Sequence, residues 1–175
     1  MDNSERRDRE MAYIADESVF AEMVECKKKL KVLGSLDPWE YDRIAAAAKE
    51  VIPDSGSLQI IPPFYCEYGT HITLGENFFA NYGCIMIDVA RITIGKNCLL
   101  PAGVTLAGLS TLEDNCILGV GVTVVPGVTV GHDAKLSAGA VVTRQVPPGE
   151  RYSGNFAIEH AAYVAHIKNI SGKER

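Results

Sequence analysis

The 175-residue chain has no basic excess, no paired-cysteine motif and no long apolar run. Its net charge of −5 argues against a nucleic-acid partner, whose binders show clustered Lys and Arg. Five cysteines occur without one CxxC pair, so no zinc or other metal site and no thioredoxin-like motif is expected. Reduced thiols and a cytoplasmic location are the reading of a sequence with no charged-then-apolar secretory segment. The longest uncharged run of the second half, residues 115–131, is interrupted by Gly and Pro. It is too short and too broken to cross a membrane. With 47% apolar and 22% charged residues the composition is that of a folded chain, not a disordered one.

Glycine is nearly missing from the first 50 residues, where Gly34 stands alone among 16 in the chain. Residues 1–53 therefore read as a helical lead. Asp16 is a candidate N-cap for a helix over 16–33, carried by Phe20, Met23, Cys26, Leu30 and Leu33 at three-to-four spacing and stopped by Gly34. A second helix is expected over 38–51, with Pro38 at its first position. Residues 54–175 carry the remaining glycines and a repeat, followed by a helical segment over 157–170.

The repeat has a period of six. Ile94, Leu100, Leu106, Leu112, Leu118, Val124, Val130, Leu136 and Val142 fall in one phase, each followed four positions later by a small or modest residue such as Cys98, Ser110, Cys116 or Ala134. An apolar anchor, a small residue and turn glycines at that period predict a hexapeptide β-helix. Three hexads make one triangular coil. That arithmetic stacks Cys98 on Cys116 and Cys66 on Cys84, each pair three hexads apart, as interior residues. An earlier phase through Leu74, Ala80 and Met86 is displaced by two, which predicts a small bulge or loop near Asp88–Ala90. The fold class is thus mainly β, a parallel β-helix over about 58–153 with N-terminal helices and a C-terminal helix covering an end or flank.

The segments Pro63-Phe-Tyr-Cys-Glu-Tyr-Gly69, Leu74-Gly-Glu-Asn-Phe-Phe-Ala-Asn-Tyr82, Ile94-Gly-Lys-Asn97, Pro126-Gly-Val-Thr-Val-Gly131 and Ala138-Gly-Ala-Val-Val-Thr-Arg144 resemble those of the maltose/galactoside O-acetyltransferases. The resemblance implies a left-handed coil, a homotrimer with sites between subunits, acetyl-CoA as co-substrate and a sugar hydroxyl as acceptor. It also implies roles for single residues. Asn81 would be catalytic, its amide turned to the acceptor or thioester oxygen. Asp16 and Asp88 would bind the acceptor. Ala138, Thr143 and Arg144 would bind the cofactor, with Arg144 where the family usually has Lys.

Each of these has a plainer alternative. Asn81 fits a strained corner, Asp88 an Asx turn, Asp16 a helix cap and Arg144 a solvated surface. The family's general-base histidine sits on a loop in a Thr-x-x-His-Pro type segment. Here Leu106 to Leu112 stays in phase, so both loop and histidine are missing. The tryptophan expected in the next coil is Ile117, an Arg of the first helix is Met23, and two C-terminal basic positions are Ile158 and Ala161. His71, His132, His160 and His166 remain, none at the family's position. Two functions are open at this point: acetyl transfer with impaired or altered chemistry, or a non-catalytic trimeric scaffold.

Overall fold

The computed structural model describes residues 1–9, 11–154 and 159–171. Asp2 caps α1 (Asn3–Asp8) through a reciprocal pair with Glu5. Asp16 caps α2 (Glu17–Leu33), and Gly34 follows its last turn. The helix expected at Pro38 starts later. Asp37–Glu40 closes a turn through a Glu40 N–H to Asp37 carbonyl bond, and α3 spans Tyr41–Val51.

The rest is a parallel left-handed solenoid of about five coils. The first holds β1 (Leu58–Ile60), β2 (Phe64–Cys66) and β3 (Ile72–Leu74). The second holds β4 (Phe78–Ala80), β5 (Cys84–Ile87) and β6 (Ile92–Ile94). The third holds β7 (Leu99–Leu100), β8 (Thr105–Ala107) and β9 (Thr111–Leu112). The fourth holds β10 (Ile117–Leu118), β11 (Thr123–Val124) and β12 (Thr129–Val130). Then come β13 (Lys135–Leu136), β14 (Val141–Val142) and β15 (Arg151–Tyr152), and later α4 (His160–Ser171). Three faces result: a first of β1, β4, β7, β10, β13 and β15, a second of β2, β5, β8, β11 and β14, and a third of β3, β6, β9 and β12.

The hexad anchors all point inward. All nine, from Ile94 to Val142, are buried, and so are the small residues four positions on. Such a column is held by apolar burial and by one hydrogen-bond ladder per face. Cys98 stacks on Cys116 as expected, with Leu99 opposite Ile117. Cys66 does not stack on Cys84: its partner is Met86, and Phe64 lies opposite Cys84. The cause is coil length. Leu58 pairs with Phe78 and Ile85 with Thr105, so the first two coils are two residues longer than the later ones. The extra residues sit on the edge between the second and third faces, within Glu67–His71 and Asp88–Arg91. The bulge expected near Asp88–Ala90 is there, and a second lies below it.

Ile44, Ala48, Val51 and Ile52 of the α3 region close one end of the column against β1. α2 lies beside them, and Cys26 meets Cys66 at 3.5 Å between sulfurs. This contact and burial push the Cys66 thiol up, so it stays a neutral core group. The described side chains of α4 are exposed except half-buried Val164, so the expected packing of this helix on an end or flank is not seen. Its start, expected at Ala157, lies outside the described residues.

Candidate functional site

The second face and the two edges that flank it collect Asn81, Asp88, Ala138, Thr143 and Arg144. Asn81 and Asp88 stand at opposite ends of β5, while Ala138 and Thr143–Arg144 stand at opposite ends of β14. Corners stack directly along the edge between second and third faces. Ile92 N–H donates to the His71 carbonyl at 2.9 Å, Leu109 N–H to the Arg91 carbonyl at 2.9 Å, and Gly127 N–H to the Gly108 carbonyl at 3.1 Å. One edge therefore runs from His71 up past Ala107–Ser110 to Thr143 and Arg144, four strand spacings or about 19 Å.

At the upper end, Thr143 and Arg144 line a cavity of about 290 Å³ with Tyr152, Ser153 and Gly154. The guanidinium of Arg144 is exposed and makes no ion pair among the described residues. Ala138 is exposed on the opposite edge, lying so closely over Gly119 that a Cβ there would sit 2.3 Å from the Ala138 nitrogen. Only glycine allows this approach. Tyr152, Ser153 and Gly154 are additions to the residues expected at this cavity. Their place beside Thr143 follows from β13–β15 pairing, which no hexad count announces.

Midway, Ala107–Ser110 is a tight turn with Leu109 at φ 62° and Ser110 Oγ donating to the Ala107 carbonyl. No projecting loop leaves the coil here, as the unbroken phase predicts. Gly108 rests on Ala90 in the coil below.

On the other edge of the second face, Asn81 accepts the Tyr82 N–H on its own Oδ1 at 2.7 Å. That contact orients the side chain and leaves Nδ2 available as a donor. Asp88 is fully buried. Its Oδ1 accepts from the N–H groups of Glu67 at 2.7 Å and Tyr68 at 3.1 Å, and Oδ2 from Gly69 at 2.7 Å. Both oxygens are thus spent on shaping the lower corner. Asp16 is similarly engaged, by Asn3 at 2.6 Å and by the Ser18 hydroxyl at 2.6 Å. The Asn3 bond first, then Ser18, pulls its carboxyl down to about 2. Of the altered family positions, Ile117 is exposed on the first face, Met23 is half-buried in α2 and Ala161 is exposed in α4. Ile158 lies outside the described residues.

His71 occupies the lowest corner. Its Nδ1 is 2.8 Å from the Asp88 carbonyl oxygen and its Nε2 is 3.3 Å from Asp8 Oδ1. Tyr68 stacks beside it at 4.7 Å, and Arg7 covers the Tyr68 ring at 4.3 Å. Arg7 bonds Asp8 and Glu22, each at 2.7 Å. Burial acts to lower the Arg7 pKa, but these carboxylates more than offset it and keep the guanidinium charged. Two buried atoms near this corner, Arg7 Nη1 and Glu67 Oε2, have no hydrogen-bond partner among the described residues. The helical pattern of the lead does not extend to α1, although Asp2 and Glu5 carry a capping-box signal for it. His132, by contrast, stands on the far edge beside Asp133 at 2.7 Å.

Residues 111–144 match the family described as the hexapeptide repeat of succinyl-transferase. Nodulation protein L of Rhizobium meliloti is 30% identical over 165 residues, 83% of this chain and 90% of that protein. Among solved structures, a maltose O-acetyltransferase from Clostridium difficile 630 superposes with a TM-score of 0.83 at 30% identity, over 89% of this chain and 94% of that one. A galactoside acetyltransferase in complex with coenzyme A gives a TM-score of 0.81 at 27% identity, covering 88% and 87%.

Proposed function

Because this chain belongs to the hexapeptide-repeat acetyltransferases of the maltose/galactoside type, we propose that it moves an acetyl group from acetyl-CoA to a hydroxyl of a sugar-class acceptor, with slow turnover on ordinary sugars. The observation that carries the reading is the edge itself, with an unpaired arginine and a cavity at its upper end and a polar corner at its lower end. Thr143, Arg144 and Ala138 hold the cofactor, Arg144 through charge-assisted bonds to a phosphate. The acetyl-bearing arm then runs down the second face toward Asn81, whose free Nδ2 donates to the oxygen that gains charge during attack.

Attack on a thioester by a hydroxyl needs a group to take the hydroxyl proton. A placed base is worth about 10²–10⁴-fold. The turn at Ala107–Ser110 offers none, which supports the impaired rate and is also the observation that favours a non-catalytic scaffold as the second reading.

The active form is a homotrimer in this proposal. Outward residues of the third face are Thr73, Thr93, Thr111 and Thr129, a surface suited to water. The second face turns out Tyr65, Ile85, Ile87 and Val141 around Thr105 and Thr123, and the first face Leu99 and Ile117 between Gln59 below and Lys135 and Arg151 above. Apolar patches on two faces of a short prism call for partners. Exposed Tyr163 on α4 supports the same packing.

Following acetyl-CoA consumption with maltose, glucose and galactosides, beside titration of CoA, tests the reading. Saturable CoA binding with acetyl transfer supports it. Binding without transfer to any hydroxyl favours the scaffold, and no binding removes both cofactor and enzyme roles.

A further inference from the structure

Resting on that acetyl-transfer reading, we propose that His71 Nε2 is the general base of this chain, covered at rest by the Asp8 carboxylate of α1 and uncovered when an acceptor displaces it. Four observations meet here. A carbonyl oxygen only accepts, so the 2.8 Å contact to Asp88 O makes Nδ1 the donor and fixes the ring. With Nδ1–H so committed, Nε2 is the nitrogen left to take a proton. It faces a cavity of about 150 Å³ lined by Arg7, Asp8, Val89, Ala90 and Arg91. The ring is positioned by a carboxylate that acts through the backbone, since Asp88 shapes the corner on which His71 sits.

The corner also lies on the edge that carries Thr143 and Arg144. The tight turn at Ala107–Ser110 is about 10 Å above, two strand spacings. The two corners beneath it are each two residues longer, so they form a step below an edge that no loop covers. Neither His132 on the far edge nor His160 and His166 in α4 lines this cavity.

The closed state is held by α1. Asp8 Oδ1 lies 3.3 Å from Nε2 while accepting from Arg7, and Arg7 is tied to Glu22 of α2. Asn3–Asp16 and Ser4–Ser18 bonds hold the rest of α1 against the start of α2. Displacing Asp8 opens Nε2 to the cavity. The groups around the ring are Arg7 and Asp8 from α1, Tyr68 from its own corner, the Asp88 carbonyl and Arg91 from the corner above.

Asn81 stands on the other edge of the second face, so the step is shared between two copies of the proposed trimer: Nε2 takes the proton of the acceptor hydroxyl as its oxygen bonds to the thioester carbonyl carbon, and the oxygen that gains charge faces the Asn81 side chain of a neighbouring copy. The C–S bond then breaks, and the Nε2 proton passes to the CoA sulfur. Ester and free thiol are the products.

The test compares wild type with His71→Ala, His71→Asn and Asp8→Asn as full chains. Acetyl-CoA cleavage is followed with water alone and with maltose across pH 5–9, and CoA binding is titrated in parallel. His71→Asn keeps a side-chain N–H for the Asp88 carbonyl but has no base. The expected results are a loss of kcat of about 10²-fold or more in both His71 variants, with CoA affinity and KM little changed and the rising limb of the pH profile gone. Added imidazole restores rate in His71→Ala only, and Asp8→Asn, which loosens the cover over Nε2, gives a rate severalfold above wild type. Wild-type rates in folded His71→Asn overturn the proposal. So does CoA binding with no cleavage in wild type or Asp8→Asn. Loss of CoA binding in wild type instead overturns the acetyl-transfer reading on which it rests.

Discussion

Asn97 donates its side-chain amide to Asn115, one coil above, at 2.9 Å. The same bond runs from Asn77 to Asn97 at 3.1 Å and from Asn115 to Asp133 at 3.0 Å, making a continuous ladder along the edge between third and first faces. Each of these residues has positive φ, 57° at Asn97 and 63° at Asn115. The position asks for a residue that tolerates the left-handed region and also bonds its neighbours. Asn97→Ala loses both and is expected to cost about 1–2 kcal/mol. Asn97→Gly regains the backbone freedom and costs less. Urea unfolding of the two variants checks the order.

Asp88 is a different kind of corner residue, because its carboxylate satisfies three backbone N–H groups in a buried turn. Asp88→Ala orphans all three, at about 1–3 kcal/mol each for the buried ones. The expected outcome is a loss of several kcal/mol, seen as a shift in denaturation midpoint with the slope unchanged. Asp88→Asn keeps one carbonyl oxygen and falls between. An alanine variant as stable as wild type would show that the corner is held by something else.

The lower corner also shows where sequence reading stops. The phase from Ile94 to Val142 announces the column, its buried side and the absence of a loop at Ala107–Ser110, because each hexad is a local object. Asp16 and Gly34 mark the ends of α2 for equally local reasons. A count of three hexads per coil matches Cys66 to Cys84. Two extra residues in each of the first coils shift its partner to Met86, and spacing alone does not reveal the longer coil. His71 meets the Asp88 carbonyl across 17 residues for the same reason. Its contact with Asp8 needs a helix too short to carry a periodicity. At the site, Thr143 and Arg144 are legible as a neighbouring pair, whereas the engagement of Asp16 and Asp88 by intramolecular donors emerges only in three dimensions.

His132 and Asp16 give two pH signatures of opposite sign. The hydrogen bond that His132 Nδ1 donates to Asp133, aided by nearby acids, raises the His132 pKa above its usual 6.5. A raised folded-state value stabilises fully below about 6.5 and is lost as pH rises through the folded value. Asp16 is held down at about 2 against an ordinary 3.8, so its contribution is present above that ordinary value and is lost as pH falls toward 2. NMR titration is expected to place the His132 midpoint above 6.5, and Asp133→Asn is expected to bring it back. A midpoint below 6.5 in wild type would remove the pair as a stabilising contact.

The exposed apolar patches of the first and second faces predict a mass near three times that of one chain by light scattering at micromolar concentration. Ile117→Lys, placed on the exposed patch of the first face, is expected to shift the distribution toward single chains. A wild-type mass near that of one chain would contradict the trimer.

The most direct measurement is calorimetric titration of CoA into the wild-type chain and into Arg144→Ala. The expected result is saturable binding by wild type and about tenfold weaker binding by the variant, a loss of about 1.4 kcal/mol for one charged contact to phosphate. No binding by wild type, or equal affinity in the two proteins, would contradict a cofactor seat at Thr143 and Arg144.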